Sequence, residues 1–409
     1  MRNIIIINDF AHINGGAGKV AISSAVGLSG LGYNVVLFSA VPPVCKELAE
    51  SNVKVVCLGQ CDILSDANRA RAMVNGVWNR LARKEFRKLL SAYNPGDTVV
   101  HYHAWIKALS ASVLDVAAKC GFRSVVTLHD YFLFCPNGGL FNYRTLKICD
   151  RKASSLGCLA CNCDARNYPQ KVWRYARQVV QWHALKKAGK VNVIYISELN
   201  RKVSLPYLRG VTGKWYYVSN PVELGTGAKV DIASNKKYLC IARLSKEKGV
   251  ELFCKAMEEL HLEGCVLGDG YLMEELKGKY KNVDFVGWVD GREKEEYLGR
   301  ATCLVFPSLW YETFGLVVTE NLSRGIPCIV GDKNAACELI DDGETGFIFK
   351  SGNLESLKAA IMKYEKSDKQ YMQDNIIETF DADKFSLKCH CQRLIEVYAD
   401  ILSARAGEA

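Results

Sequence analysis

A chain of 409 residues, 49% of them apolar and 24% charged, has the composition of a globular protein and room for two or three domains. No run of about 18 apolar residues occurs, which excludes a helix that spans a membrane. The formal charge of +9 is unevenly placed: 29 basic and 12 acidic residues up to Trp215, against 24 and 32 beyond it. A basic half suits an anionic partner: a membrane surface, a phosphorylated acceptor or nucleic acid.

The chain opens MRNIIIINDF. Four isoleucines fall short of the roughly 7–15 apolar residues of a signal peptide and read better as the first buried strand of a parallel sheet. A cytosolic location is expected, with the seventeen cysteines as thiols or metal ligands rather than disulfides. Further strands are expected at 34–39, 54–57, 98–101, 124–128 and 193–196, then at 237–242, 264–267, 283–286, 301–306, 327–330 and 346–349. Helical patterns alternate with them, which predicts α/β architecture with parallel sheets and right-handed crossovers. Two sets of about six strands predict two Rossmann-like domains, 1–217 and 218–385, parted at the turn Ser219-Asn220-Pro221. Residues 386–409 read as a terminal helix with a frayed polar tail.

Ligands of such sheets bind beyond the carboxyl ends of the strands. The first such loop holds Gly15, Gly16 and Gly18, followed by Lys19. It is no Walker A loop, because Ile13 and Val20 stand where a glycine and a hydroxyl are required. G-x-G-x-x-G fails at Ala21. Two readings stay open: a tight turn for packing, or backbone that approaches a phosphate.

The later loops carry sharper chemistry. In ARLSKEKG, Arg243 and Lys248 flank a strand-to-helix turn, as an anion pocket or as two solvated surface charges. Gly268-Asp269-Gly270 is another such turn, for close approach of a nucleotide or as a generic bend. In ETFGLVVTE, Glu312 stands in a loop and Glu320 about a turn and a half into the next helix. Carboxylates accept paired hydroxyls of a sugar or a ribose, and the amides of Phe314, Gly315 and Leu316 can meet phosphate or sugar oxygens. The plainer reading is a capping carboxylate and an ordinary helical Glu.

The order of ARLSKEKG, GDG, VGWV, ETFGLVVTE, GIPCIVGD and GETGFIF resembles the retaining glycosyltransferases of glycosyltransferase family 4. GGAGKV, VVHYHAW and VVTLHDY fit the family's earlier loop and strands, so the resemblance covers nearly the whole chain. It implies the GT-B fold, with two Rossmann-like domains whose parallel sheets face across a cleft. It also implies transfer of a sugar from a nucleotide-diphosphate donor with retained anomeric configuration, without a divalent metal. The sequence offers no convincing D-x-D metal motif. By resemblance, Arg243 and Lys248 neutralise the diphosphate, Glu312 contacts the donor sugar and Glu320 the ribose. Gly268, Gly270 and Val286 line the donor site, and Gly15 and Gly16 reach the diphosphate from the other domain. His129 sits beside the transferred sugar; Asp130, a departure from many members, and His103 are acceptor candidates. A core histidine is the plainer reading of His129.

Two segments stand outside this set. A cysteine-rich insertion, about 131–170, carries Cys135, Cys149, Cys158, Cys161 and Cys163. Cys158-x2-Cys161 has zinc-knuckle spacing, with Cys135 and Cys149 as partners for a structural zinc; free or disulfide-linked thiols are the alternative. The stretches 68–93 and 171–190 read as basic amphipathic helices, suited to an anionic lipid surface or to a core with a solvated basic face. No nucleic-acid module is evident. The expectation is a glycosyltransferase at the inner face of a membrane, acting on a saccharide or lipid-linked acceptor in surface polysaccharide or lipopolysaccharide synthesis. A nucleotide-sugar epimerase of the same fold and a non-catalytic nucleotide-sugar binder are the rivals.

Overall fold

A computed structural model describes residues 1–224 and 230–403. The expected polar tail lies in 404–409, outside the described residues. The chain divides into two compact units: Met1–Gly139, Arg151–Pro221 and Lys384–Ala409 form the first, Leu140–Asp150 and Val222–Asp383 the second.

In chain order the first half runs β1 (Asn3–Asn8), α1 (Gly16–Gly30), β2 (Asn34–Ser39), α2 (Lys46–Ala49), β3 (Lys54–Cys57), α3 (Arg69–Val77) and α4 (Arg80–Leu90). It continues with β4 (Thr98–Ala104), α5 (Ser112–Lys119), β5 (Arg123–Thr127), a small hairpin β6 (Phe141–Asn142) and β7 (Lys147–Ile148), and α6 (Leu156–Ala160). Then follow α7 (Tyr168–Lys187), β8 (Val191–Tyr195), α8 (Glu198–Leu208) and β9 (Thr212–Tyr217). The sheet order is β3-β2-β1-β4-β5-β8-β9, and every pairing is parallel. Ile4 to Ile7 are wholly buried at its centre, as a strand covered on both faces requires. This sheet has seven strands, not six. The extra one, β9, reads TGKWYY; it is an edge strand with polar and half-exposed positions, so it lacks the apolar run that marks a central strand.

The second half runs β10 (Lys237–Ile241), α9 (Val250–Glu259), β11 (Gly264–Leu267), α10 (Met273–Lys279), β12 (Val283–Gly287) and α11 (Gly291–Leu298). It continues with β13 (Ala301–Phe306), α12 (Leu316–Leu322), β14 (Cys328–Gly331), β15 (Gly346–Phe349), α13 (Leu354–Lys366), α14 (Lys369–Thr379) and α15 (Leu387–Ser403). The second sheet is parallel in the order β12-β11-β10-β13-β14-β15. Its core includes Cys240, Cys254, Cys265, Cys303 and Cys328. These thiols act as small apolar fillers, and burial pushes Cys254 up to about 12 and Cys265 up to about 11.

The terminal helix is not a separate appendage. α15 packs on α1 in the first unit: Cys391, Leu394, Tyr398 and Ile401 share a core with Ala21, Ile22, Ala25 and Leu28. Polar contacts fix the docking, His390 Nε2 with Ser24 Oγ at 2.8 Å and Tyr398 with His101 Nδ1 at 2.6 Å.

The stretch 68–93 is also not one helix. Asn68 caps α3 by accepting from Arg71 N, and the stretch breaks at the extended Trp78, where Asn79 caps a new helix by accepting from Ala82 N.

Candidate active site

In the second unit the predicted donor residues gather at the carboxyl ends of β10 to β13. Glu312 follows β13 and forms an ion pair with Lys248. Its Oε1 also accepts from Trp310 Nε1 at 2.7 Å and Ser308 Oγ at 2.9 Å. The Lys248 ammonium lies 5.0 Å from the centre of the Trp310 ring. Burial opposes the charge on Glu312, but the Lys248 ammonium and these hydrogen bonds outweigh it and hold the carboxyl below its ordinary value. An ionised, well-anchored carboxylate of this kind can accept hydroxyls through its second oxygen.

Glu320 is the fifth residue of α12 and is buried. Its Oε2 meets Lys294 Nζ of α11 at 2.5 Å. Arg243 is paired with the buried Glu247 at 2.7 Å while its own side chain is 65% exposed. Glu247 is steadied in turn by Ser245 Oγ at 2.7 Å. Arg243 is thus a held cation rather than a loose surface charge.

Gly268 and Gly270 make their closest approach to the chain itself. Gly268 has φ 132°, and a Cβ there would collide with the Ala242 carbonyl; one on Gly270 would strike the Leu244 carbonyl. The loop after β11 therefore presses on the loop that bears Arg243. Gly268 N also donates to Gly287 O at 2.7 Å, which ties in the end of β12 beside the half-buried Val286. Phe314 and Gly315 lead into Leu316 and α12, with Gly315 at φ 104°.

In the first unit Gly15 and Gly16 are exposed at the start of α1, just beyond β1. Gly15 has φ 83° and ψ −178°, a conformation left to glycine, with open space where a Cβ would stand. His103, at the end of β4, and His129, after β5, meet directly: His103 Nδ1 and His129 Nε2 are 2.9 Å apart, with stacked rings. Burial, with a smaller contribution from His390, pushes His129 down to about 3. Burial, then neighbouring histidines, holds His103 well below the ordinary value. The pair is therefore neutral at neutral pH and suited to hydrogen bonding rather than to charge stabilisation. His103 Nε2 is buried without a partner among the described residues. Asp130 is exposed and turns the following loop by accepting from Phe132 N at 2.8 Å.

α7 carries that loop. Gln181 Nε2 donates to Phe132 O at 2.7 Å and Gln178 Nε2 to Leu133 O at 2.9 Å. The buried Asp9 does the same for the loop after His103, accepting the amides of Lys107, Ala108 and Leu109 at 2.8–2.9 Å. Sequence reasoning missed Asp9, Ser308, Trp310 and Lys294. Of these only Trp310 left a signal, an aromatic two residues before Glu312.

Among the described residues no three His, Cys, Asp or Glu side chains are grouped to hold a metal ion. The seventeen cysteines, all among the described residues, form no disulfide. The Cys158 sulfur accepts from the buried Lys171 ammonium at 3.2 Å. Cys163 accepts from Asn137 Nδ2 at 3.2 Å, Cys135 is buried, and Cys149 and Cys161 are half-buried.

Comparison with known proteins agrees with this geometry. Residues 228–379 match the family model of glycosyl transferases group 1. The chain is 24% identical over 255 residues to alpha-D-kanosaminyltransferase of Streptomyces kanamyceticus, covering 56% of this chain and 65% of that one. It is 30% identical over 105 residues to an Escherichia coli protein, UDP-Gal:alpha-D-GlcNAc-diphosphoundecaprenol alpha-1,3-galactosyltransferase, covering 24% of this chain and 26% of that one. The matched segments thus span less than two thirds of these relatives. Among solved structures, sucrose-phosphate synthase of Thermosynechococcus elongatus superposes with a TM-score of 0.71 at 18% identity, covering 99% of this chain and 100% of that one. HepE of Anabaena in complex with UDP-glucose superposes at 0.67 and 16%, covering 98% and 100%. Residues 228–379 thus carry the sequence pattern of the group 1 glycosyl transferases, and the two parallel sheets are those of the GT-B fold.

Proposed function

We propose that the protein transfers a sugar from a nucleoside-diphosphate donor to a saccharide acceptor borne on a lipid, with retention of configuration, in the assembly of a surface polysaccharide or glycolipid. The observation that carries this reading is the anchored Lys248–Glu312 pair at the end of β13, in the segment that matches the family. Cleavage of a sugar–phosphate bond leaves negative charge on the diphosphate, and fixed cations are the strongest means of stabilising it. Lys248 and Arg243 supply that charge, so the reaction proceeds without a divalent metal. Glu312 accepts hydroxyls of the donor sugar. Glu320 exchanges its contact with Lys294 for the ribose diol. Within the first unit, the neutral His103–His129 pair can offer hydrogen bonds to a sugar, Gly15 and Gly16 can offer amides to an anion, and Asp130 can meet the acceptor.

The HepE complex with UDP-glucose supports a nucleotide-sugar donor. The diphosphoundecaprenol acceptor in the Escherichia coli relative's name supports a lipid-linked acceptor. Such an acceptor places the protein at the cytoplasmic face of a membrane. The test is release of nucleoside diphosphate from a panel of nucleotide sugars in chelator, with wild type and Glu312→Gln. Turnover of one donor, lost in the variant while the nucleotide still binds, is expected. Equal turnover by the variant would contradict the role given to Glu312.

A further inference from the structure

α4, α5 and α7 of the first unit enclose a surface groove of about 650 Å³. Its apolar walls are Trp78 and Trp182, and four cations line it: Arg83, Lys119, Lys186 and Lys187. A single carboxylate opposes them. Asp115 bridges Arg83 at 3.4 Å and Lys119 at 2.8 Å, so the groove keeps an excess of positive charge. Lys186 lies 5.8 Å from the centre of the Trp182 ring.

The helices around this groove expose aliphatic side chains that ordinary packing would cover. Val74 on α3 is 64% exposed and Val179 on α7 is 54% exposed. Met73 and Val172 on the same two helices, and Leu81 on α4, are also exposed. α3 is fixed against α7, since Trp173 packs on Gly76 and its Nε1 donates to Met73 O at 3.3 Å. The apolar side chains are therefore presented on a firm support. The exposed Arg80, Lys84, Arg87 and Lys88 of α4 add charge nearby.

We propose that this groove receives the phosphate head group of an anionic lipid, with α3, α4 and α7 lying on the bilayer around it. A soluble phosphate would explain the cations but leave Met73, Val74 and Val179 exposed to no purpose. A nucleic acid backbone would equally ignore them. A bilayer interface matches all three observations: anionic phosphates meet the lysines, aliphatic side chains enter the acyl boundary, and tryptophans settle between. This deepens the reading of a membrane-borne acceptor but makes no use of the donor residues.

The test is co-sedimentation of the whole chain with vesicles of phosphatidylcholine alone and of phosphatidylcholine mixed with phosphatidylglycerol. Binding to the mixed vesicles alone is expected, weakening as salt is raised. Each lysine near the surface contributes about fivefold, so Lys119→Gln with Lys186→Gln and Lys187→Gln should lower the partition by about a hundredfold. Val74→Asp with Val179→Asp should also weaken it, and the exposure of all five residues leaves folding intact. Unchanged binding of the triple variant, or equal binding to phosphatidylcholine, would overturn the proposal. Nucleotide binding by the same variants separates the two readings. Vesicle binding without any nucleotide binding would refute the proposed function and leave the docking surface standing. The reverse result would refute only the docking surface.

Discussion

Trp310 does two things for the Lys248–Glu312 pair: its indole N–H donates to the carboxylate and its ring faces the ammonium. Trp310→Phe separates them, keeping the ring and removing the donor. A hydrogen bond to a buried charge is worth about 1.5–3 kcal/mol, so kcat/KM should fall roughly ten- to a hundredfold. Steady-state kinetics on the preferred donor would check this; an unchanged value would mean that Lys248 and Ser308 suffice. The depressed pKa of Glu312 sets a sign as well. The carboxylate is ionised throughout the neutral range, and the pair is lost only as pH falls below the ordinary glutamate value of about 4.3. Any acid limb of activity near pH 6 must therefore come from another group. Glu312, Lys248 and Glu320 are legible in the sequence because they sit at fixed offsets from strand ends. Lys294 is not, because nothing local marks a lysine on α11 as the partner of a glutamate 26 residues on. The contact of His103 with His129 is equally hidden, since it depends on the pairing of β4 with β5.

At the scale of elements, two glycines that look alike in the sequence differ in what they resist. Gly15 has an unusual φ but open space around it, whereas Gly268 has an unusual φ and the Ala242 carbonyl in the way. Gly15→Ala should cost about 1–3 kcal/mol from backbone strain alone. Gly268→Ala should cost more, because a collision with backbone cannot relax by rotating a side chain. Denaturant unfolding of the two variants would settle the order, and a smaller loss at Gly268 would contradict the packing role of this loop. Strand periodicity located twelve strands of the two sheets, the edges β3, β12 and β15 among them, but not β9, whose TGKWYY has polar and half-exposed positions in place of an apolar run. It also joined α3 and α4 into one helix, because the amphipathic pattern continues across Trp78 while the extended Trp78 and the Asn79 cap interrupt the backbone.

For the molecule as a whole, the first unit carries a group of buried histidines that ties α15 to the sheet. His101 lies between Tyr398 and Thr127, and His390 between Ser24 and the Ser219 carbonyl. Burial holds His101 well below its ordinary value and His390 at about 4. Once unfolded, both imidazoles take up protons below about pH 6.5, while in the fold they stay neutral to far lower pH. Their stabilising effect is therefore complete above about pH 6.5 and is lost as pH falls toward 4. The unfolding free energy should drop by up to about 1.4 kcal/mol per pH unit for each histidine in that window. A pH series of denaturant melts would show it, and a flat profile from pH 7 to 5 would contradict neutral burial. The return of α15 to the first unit was not legible in the sequence: its apolar face predicts burial but names no partner.

The central claim is that the loops at the carboxyl ends of β10 to β13 bind a nucleoside diphosphate, with Lys248 opposing its charge. The most direct measurement is calorimetric titration of wild type and Lys248→Met with UDP, GDP and ADP, without added metal. One nucleotide should bind the wild type clearly best and lose at least about tenfold in affinity with the variant. Binding of none of the three, or equal affinity in the variant, would contradict the account.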